Sequence, residues 1–176
     1  RQIRVVDKQT GALLWNREMQ SPVFTVVFSP SGEHLVTAHI TGRIVLWDAR
    51  TGHYIRDLHR IRDWYYTPMD IAFTSTGLVT WGGFLMDTTT REQIVEFDSH
   101  EERVHAVSTS KDGKALLTSG WDGRVVLREL YYGGKVTELY KDENEEYVYC
   151  ATFSPDEKRI AIGGSDNKIR LINLEG

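Results

Sequence analysis

Residues 33–48, EHLVTAHITGRIVLWD, decide how the rest of the chain is read. An apolar run (Leu35, Val36, Thr37, Ala38) leads into a Thr41-Gly42 turn, and a second run (Ile44, Val45, Leu46, Trp47) is closed by Asp48. Two such runs joined by a glycine-containing turn predict a β-hairpin. Side chains alternate across a strand, so Ile44 and Leu46 take one face while Val45 and Trp47 take the other. Both faces are apolar, and a sheet of that kind needs cover on both sides.

The cover is predicted from approximate copies of the same stretch. Residues 114–130 read KALLTSGWDGRVVLREL, and residues 158–174 read KRIAIGGSDNKIRLINL. Upstream, FSPSG (28–32), FTSTG (73–77), STSKDG (108–113) and FSPDEK (153–158) hold one equivalent place. From Phe28 to Phe73, Ser108 and Phe153 the spacings are 45, 35 and 45 residues. A period near 40 with about four short strands per unit predicts a β-propeller, an all-β fold of four-stranded antiparallel blades. The pattern resembles the WD-repeat family over nearly the whole chain. That resemblance implies about four blades of a propeller that would have seven or eight in all.

The expected blade segments are 1–20, 21–60, 61–100, 101–143 and 144–176. The first starts at a third strand (residues 3–6) and the last stops at one (residues 169–174), which reads as a fragment of a larger propeller. Another chain or further sequence is expected to complete it. The competing expectation is a four-bladed ring, in which residues 12–17 would be the outer strand of the last blade and residues 3–6 would be redundant. Unpaired apolar edges recruit other strands, so the segment made alone is expected to self-associate. Two helix-start signals, Ser99 with Glu102 and the KDENEEY of residues 141–147, lead into alternating β-like runs and predict no sustained helix.

With 21 basic and 25 acidic residues the net charge is −4, and neither sign forms a long run. Affinity for nucleic acid or an anionic membrane comes from clustered Lys and Arg, so neither partner is expected. Cys150 is the single cysteine, which rules out a disulfide framework within these residues and favours a reducing compartment. There is no signal-peptide pattern, no apolar run of roughly 18 residues and no N-glycosylation triplet. A soluble, cytoplasmic protein is the expectation.

WD repeats often carry a buried hydrogen-bond set: Trp closing the third strand, Ser or Thr in the second, Asp in the hairpin between them, and His from the preceding loop. The resemblance implies structural roles for Trp47 (with Thr37), for His100, Ser119 and Asp122, and for Asp166. Departures are visible in each repeat: Thr41 stands in the Asp place, Arg128 and Ile172 stand in Trp places, and the last repeat has no upstream His. His100, Asp122 and Ser119 could also be read as a catalytic triad, but the framework explains the same three residues. HEERVH (100–105) misses the zinc-protease spacing by one residue, SDN (165–167) reads as turn chemistry, and the acidic residues 142–146 read as a solvated loop. No catalytic residue, metal or cofactor is expected.

The connection HRIRDWYYTP (59–68) is unusual for a loop, because it sets Trp64, Tyr65 and Tyr66 beside Arg62. Aromatics mixed with Arg are the composition of interface anchors. The alternative is that they pack locally into space left by the short third repeat. In a propeller this connection shares a face with the hairpin carrying Trp121 and Asp122 and with Tyr147. The expected function is a non-catalytic scaffold that binds a protein or peptide on that face. The alternatives are a sensor propeller attached to a signalling enzyme, or part of a propeller enzyme whose active site lies in other blades.

Overall fold

The structure, a computed structural model, describes residues 2–61, 69–74, 78–81, 84–90, 92–96, 100–131, 134–144 and 146–174. Among them there is no helix, and the strands form antiparallel meanders. The first sheet pairs β1 (Gln2–Val6) with β2 (Leu13–Glu18). The second runs β3 (Val23–Phe28), β4 (His34–His39), β5 (Arg43–Asp48), β6 (Tyr54–Arg60). The third runs β7 (Ala72–Phe73), β8 (Leu78–Trp81), β9 (Phe84–Asp87), β10 (Gln93–Glu96). The fourth runs β11 (Val104–Thr109), β12 (Ala115–Gly120), β13 (Arg124–Glu129), β14 (Val136–Lys141), and the fifth β15 (Val148–Phe153), β16 (Arg159–Gly164), β17 (Ile169–Asn173).

Hairpin 33–48 forms as its pattern dictates. Its turn closes with the Gly42 amide on the His39 carbonyl (2.9 Å), and Gly42 adopts φ +75°, a conformation open to glycine at no steric cost. The two apolar faces are covered by different neighbours. Val36, Ala38, Ile44 and Leu46 pack with Ile71, Phe73 and Met86 of the third sheet, while Leu35 packs with Ile3 of the first. Leu117 and Val125 repeat the arrangement against Val148, Ala151, Ile160 and Ile162. The core is therefore a series of apolar seams between successive sheets, as in propeller blades. Trp47 is partly buried and packs against the seam of Ile3 and Leu35, and its ring meets Tyr54 edge-on at 5.9 Å.

The turns that close the third strands also follow from sequence. DKQT, DART and DTTT each place an Asp three residues before a Thr, and in each the Asp carboxylate accepts the Thr amide (2.7, 2.7 and 3.0 Å). The Thr51 hydroxyl and amide hold the Asp48 carboxyl below the usual carboxylate range. The third sheet is irregular at its inner strand, where β7 has only two residues. Asp70, just before it, stands in for pairing: its carboxylate accepts the Val107 amide of β11 (3.2 Å), the Thr25 hydroxyl of β3 (3.4 Å) and the Ile71 amide (2.9 Å).

The inner strands share one irregularity that positions the surface described next. The register shifts at Val23/Thr25, Val104/Ala106 and Val148/Cys150, one equivalent place in three sheets. A bulge leaves its extra residue unpaired and re-aims the side chain. Here the extra residues are Phe24, His105 and Tyr149.

Candidate interaction surface

Two loops and one hairpin build the surface, and a buried polar framework fixes them. In the fourth sheet His100 Nδ1 donates to Asp122 Oδ1 (2.9 Å), and its Nε2 lies 2.8 Å from Thr118 Oγ1. Asp122 also accepts the Glu101 and Arg124 amides (3.0 and 3.2 Å), so one carboxylate ties the loop before β11 to the β12–β13 hairpin. Burial opposes its ionisation, but the hydrogen bond and charge of His100 with the two amides outweigh it and hold the carboxyl below the usual range. The His100 and Asp122 side chains are only 2% and 5% exposed. The geometry of the set is that of a brace between the loop and the hairpin.

The hydroxyl in the brace is a correction to the sequence reading. Ser119 was expected there, yet the side chain that meets His100 belongs to Thr118, one residue earlier and on the other face of β12. Ser119 Oγ is buried without a hydrogen-bond partner among the described residues. The available signal was the distance to the turn glycine, since Thr37 and Thr118 each lie five residues before one, Gly42 and Gly123.

In the second sheet an equivalent set exists with different residues, and His39 and Ser21 are its unforeseen members. The Trp47 indole donates to Thr37 Oγ1 (2.9 Å), Thr37 lies 2.9 Å from His39 Nε2, and His39 Nδ1 lies 3.1 Å from Ser21 Oγ. Thr37 Oγ1 accepts the indole N–H and bridges the indole to the imidazole. Burial, with the Arg43 charge behind it, holds His39 below the usual imidazole range and favours the neutral ring. His39 sits opposite Val23 as Gly120 sits opposite Val104. At position 120 a Cβ would lie 2.8 Å from His100 Nδ1, so the imidazole occupies one site in both sheets but arrives from a strand in one and a loop in the other.

The fifth sheet replaces the set. Ile162 and Ile172 stand in the hydroxyl and indole places and pack in the apolar seam, and exchanging both partners of a hydrogen bond for hydrocarbon can be nearly neutral. Asp166 pairs instead with Arg170. That guanidinium also lies over the Tyr140 ring (5.2 Å from its centroid) and 3.7 Å from Asp142. Asp142 is buried, not solvated as its acidic run implied, and accepts the Tyr140 hydroxyl (2.8 Å) and the Asn144 amide (2.9 Å).

On this scaffold Trp121 of the hairpin and Tyr147 of the loop before β15 stack, with centroids 5.3 Å apart and planes 24° apart. Tyr149, re-aimed by its bulge, adds a third ring 6.4 Å from Tyr147, and His105 lies 5.2 Å from Tyr149. Tyr147 and Tyr149 are 45% and 42% exposed. The guanidinium of Arg103 lies 5.5 Å from the Trp121 ring centroid. Beside the stack a cleft of about 490 Å³ is lined by Glu101, Glu102, Asp122, Arg124, Lys141 and Asn144. Tyr149, Arg103 and Glu101 were not singled out from sequence, and Glu102 was named there only as a helix-start signal. Arg62, Trp64, Tyr65 and Tyr66 lie outside the described residues.

Residues 14–48, 91–128 and 134–173, more than half of the chain, match the family described as WD domain, G-beta repeat. The chain belongs to the WD-repeat family. Over 117 residues this WD-repeat chain is 31% identical to the guanine nucleotide-binding protein subunit beta of Oryza sativa subsp. indica, covering 58% of the chain and 31% of that protein. It is 23% identical to WD repeat-containing protein 1 of Rattus norvegicus over 178 residues (95% of the chain, 28% of that protein). It is 24% identical to eukaryotic translation initiation factor 3 subunit I of Bombyx mori over 187 residues (97% and 56%). The chain therefore spans less than two thirds of the length of these relatives. Among the described residues no helix is long and apolar enough to cross a membrane.

Proposed function

We propose that these WD repeats form part of a larger, non-catalytic propeller that binds a protein or peptide across the loops between its fourth and fifth blades. The observation that carries the reading is the Trp121–Tyr147 stack, extended by Tyr149, with large aromatic area open to solvent. Aromatic side chains on a rigid support are the usual anchors of protein interfaces. The support is rigid because the His100–Asp122 brace fixes both the loop and the hairpin. Segments 1–20, 21–60, 61–100, 101–143 and 144–176 correspond to one blade or part-blade each in this reading. Further sequence or another chain supplies the remaining blades, and the single cysteine favours an intracellular setting.

The aromatic connection with Arg62, Trp64, Tyr65 and Tyr66 would extend the same face. A sensor propeller or a propeller enzyme would rest on sequence beyond these 176 residues, and no observation within them favours either. A photo-crosslinking side chain in place of Tyr147, in the full-length protein, should capture a discrete partner. Tyr147→Ala should then weaken binding of that purified partner by roughly 2 kcal/mol with the melting temperature unchanged. A lower melting temperature with intact binding would assign Tyr147 to packing instead.

A further inference from the structure

The residues that open the third strands repeat one arrangement, and the fifth sheet holds half of it. We infer that the outer edge of β17 receives an antiparallel strand carrying an aspartate or glutamate followed by a large aliphatic residue. The carboxylate would lie opposite Arg170 and pair with Lys168, and the aliphatic side chain would cover Ile169. The strand is assigned to the full-length polypeptide outside residues 1–176, because relatives of this chain extend well beyond the matched region. This rests on the proposal above that further sequence supplies more of the propeller.

Arg43, Arg124 and Lys168 each follow a turn residue with positive φ, Gly42, Gly123 and Asn167. In the second sheet Arg43 pairs with Asp57 (2.6 Å), 14 residues on and opposite Val45. In the fourth Arg124 pairs with Glu138 (2.7 Å), again 14 residues on and opposite Val126. Both fourth strands then shift register at the next residue, Leu58 or Leu139, which packs in the seam with Ile44 or Val125. The first sheet serves as the control. It has Gln2 in the cation place and Asn16 in the acid place, and no register shift falls there. In these three sheets cation, acid and bulge are present together or absent together. In the fifth the cation stands without the rest. The Lys168 side chain is 70% exposed and lies 3.9 Å from Asp166, a carboxylate that Arg170 already holds. Among the described residues no strand pairs with the outer edge of β17, and Ile169 is 85% exposed. An open edge recruits a strand through its unpaired backbone, and cross-strand charges select which strand and which register. A basic residue opposite Arg170 would meet two cations and be disfavoured.

The test uses the full-length protein and a water-soluble carbodiimide. The reagent activates a carboxylate as an O-acylisourea, and the Lys168 amine displaces the urea to form an amide with the acid it touches. Peptide mass spectrometry should join Lys168, within a single chain, to an aspartate or glutamate that lies outside residues 1–176 and precedes an aliphatic residue. Links to Asp166 alone, or to no acid, would overturn the inference, and a covalent dimer would overturn it in favour of a second copy. Lys168→Glu should speed amide exchange of β17 by about fivefold, and lysine in place of the linked acid should reverse that. An unchanged rate would also count against the pair. The crosslink is read on the unmodified protein, so it decides the case even if the variant fails to fold. Should Lys168 link only to Asp166 while β17 amides are as protected as those of β16, a strand of other chemistry fills the edge. The larger propeller then stands and this inference alone falls. Should β17 amides exchange freely as well, both fall.

Discussion

Thr118 and Ser119 are adjacent, both buried and both hydroxylated, yet they point to opposite faces of β12, and only one has work to do. Thr118→Val should cost about 1–3 kcal/mol, because it leaves buried His100 Nε2 without its partner. Ser119→Ala removes a buried hydroxyl that has no partner among the described residues, and should be neutral or slightly stabilising in urea denaturation. The reverse order of effects would put the brace on Ser119. Gly120→Ala should be destabilising by about 1–3 kcal/mol, since its methyl would lie 2.8 Å from His100 Nδ1 and 2.9 Å from Asp122 Oδ1. The imidazole of the second sheet gives a pH signature. Its folded form resists protonation, so stability is at its full value above about pH 6.5 and falls as pH drops through the depressed folded value. Urea midpoints should decline over that range, and His39→Gln should remove much of the slope; His59, also depressed by burial, retains the remainder.

At the scale of the element, the inner strands show where sequence reading succeeds and where it stops. Alternation and turn glycine revealed β4 and β5 because one hydrophobic period covers the whole hairpin. The two-residue β7 was not legible, because MDIAFTS alternates well enough to suggest a longer strand. Asp70 ends that strand by binding partners 45 and 37 residues away, and local pattern cannot see such distances. The same holds for the surface. Trp121 and Tyr147 were visible as exposed-loop aromatics, but Tyr149 looked like an ordinary strand residue until a bulge turned it outward. The His39–Ser21 set was hidden for a related reason, as its imidazole comes from a strand end where the family pattern puts it in a loop. Asp70→Ala should cost about 1–3 kcal/mol by leaving the Val107 amide unpaired. Amide exchange should accelerate first at Val107, and uniform acceleration across β11 would mean that Asp70 supports the whole sheet.

At the scale of the whole molecule, the described residues of the second and fifth sheets leave apolar faces open. In the second sheet Phe24, Val26 and Phe28 are 41%, 50% and 50% exposed, and they flank the seam where Leu35 meets the first sheet. In the fifth, Ile169 and Leu171 are 85% and 66% exposed and lie opposite Gly163 and Ala161, so a flat apolar strip crosses the sheet. In the seams between the other sheets, equivalent positions such as Ile44 and Leu46 are buried by the next blade. Each exposed side chain left in water forgoes up to about 1.5–3 kcal/mol of burial, and apolar strips of this kind recruit partners. These 176 residues produced alone should therefore self-associate as concentration rises, as judged by size-exclusion chromatography with light scattering. Ile169→Lys with Leu171→Lys should suppress the association, because lysine on an exposed strand opposes edge and face pairing. Val26→Lys should act independently on the opposite face, and combining all three should give a monomer. Association that persists in the triple variant would place the contact elsewhere. A monomer with cooperative unfolding in the unmodified segment would mean that both faces tolerate water, and that no further blade is needed to cover them.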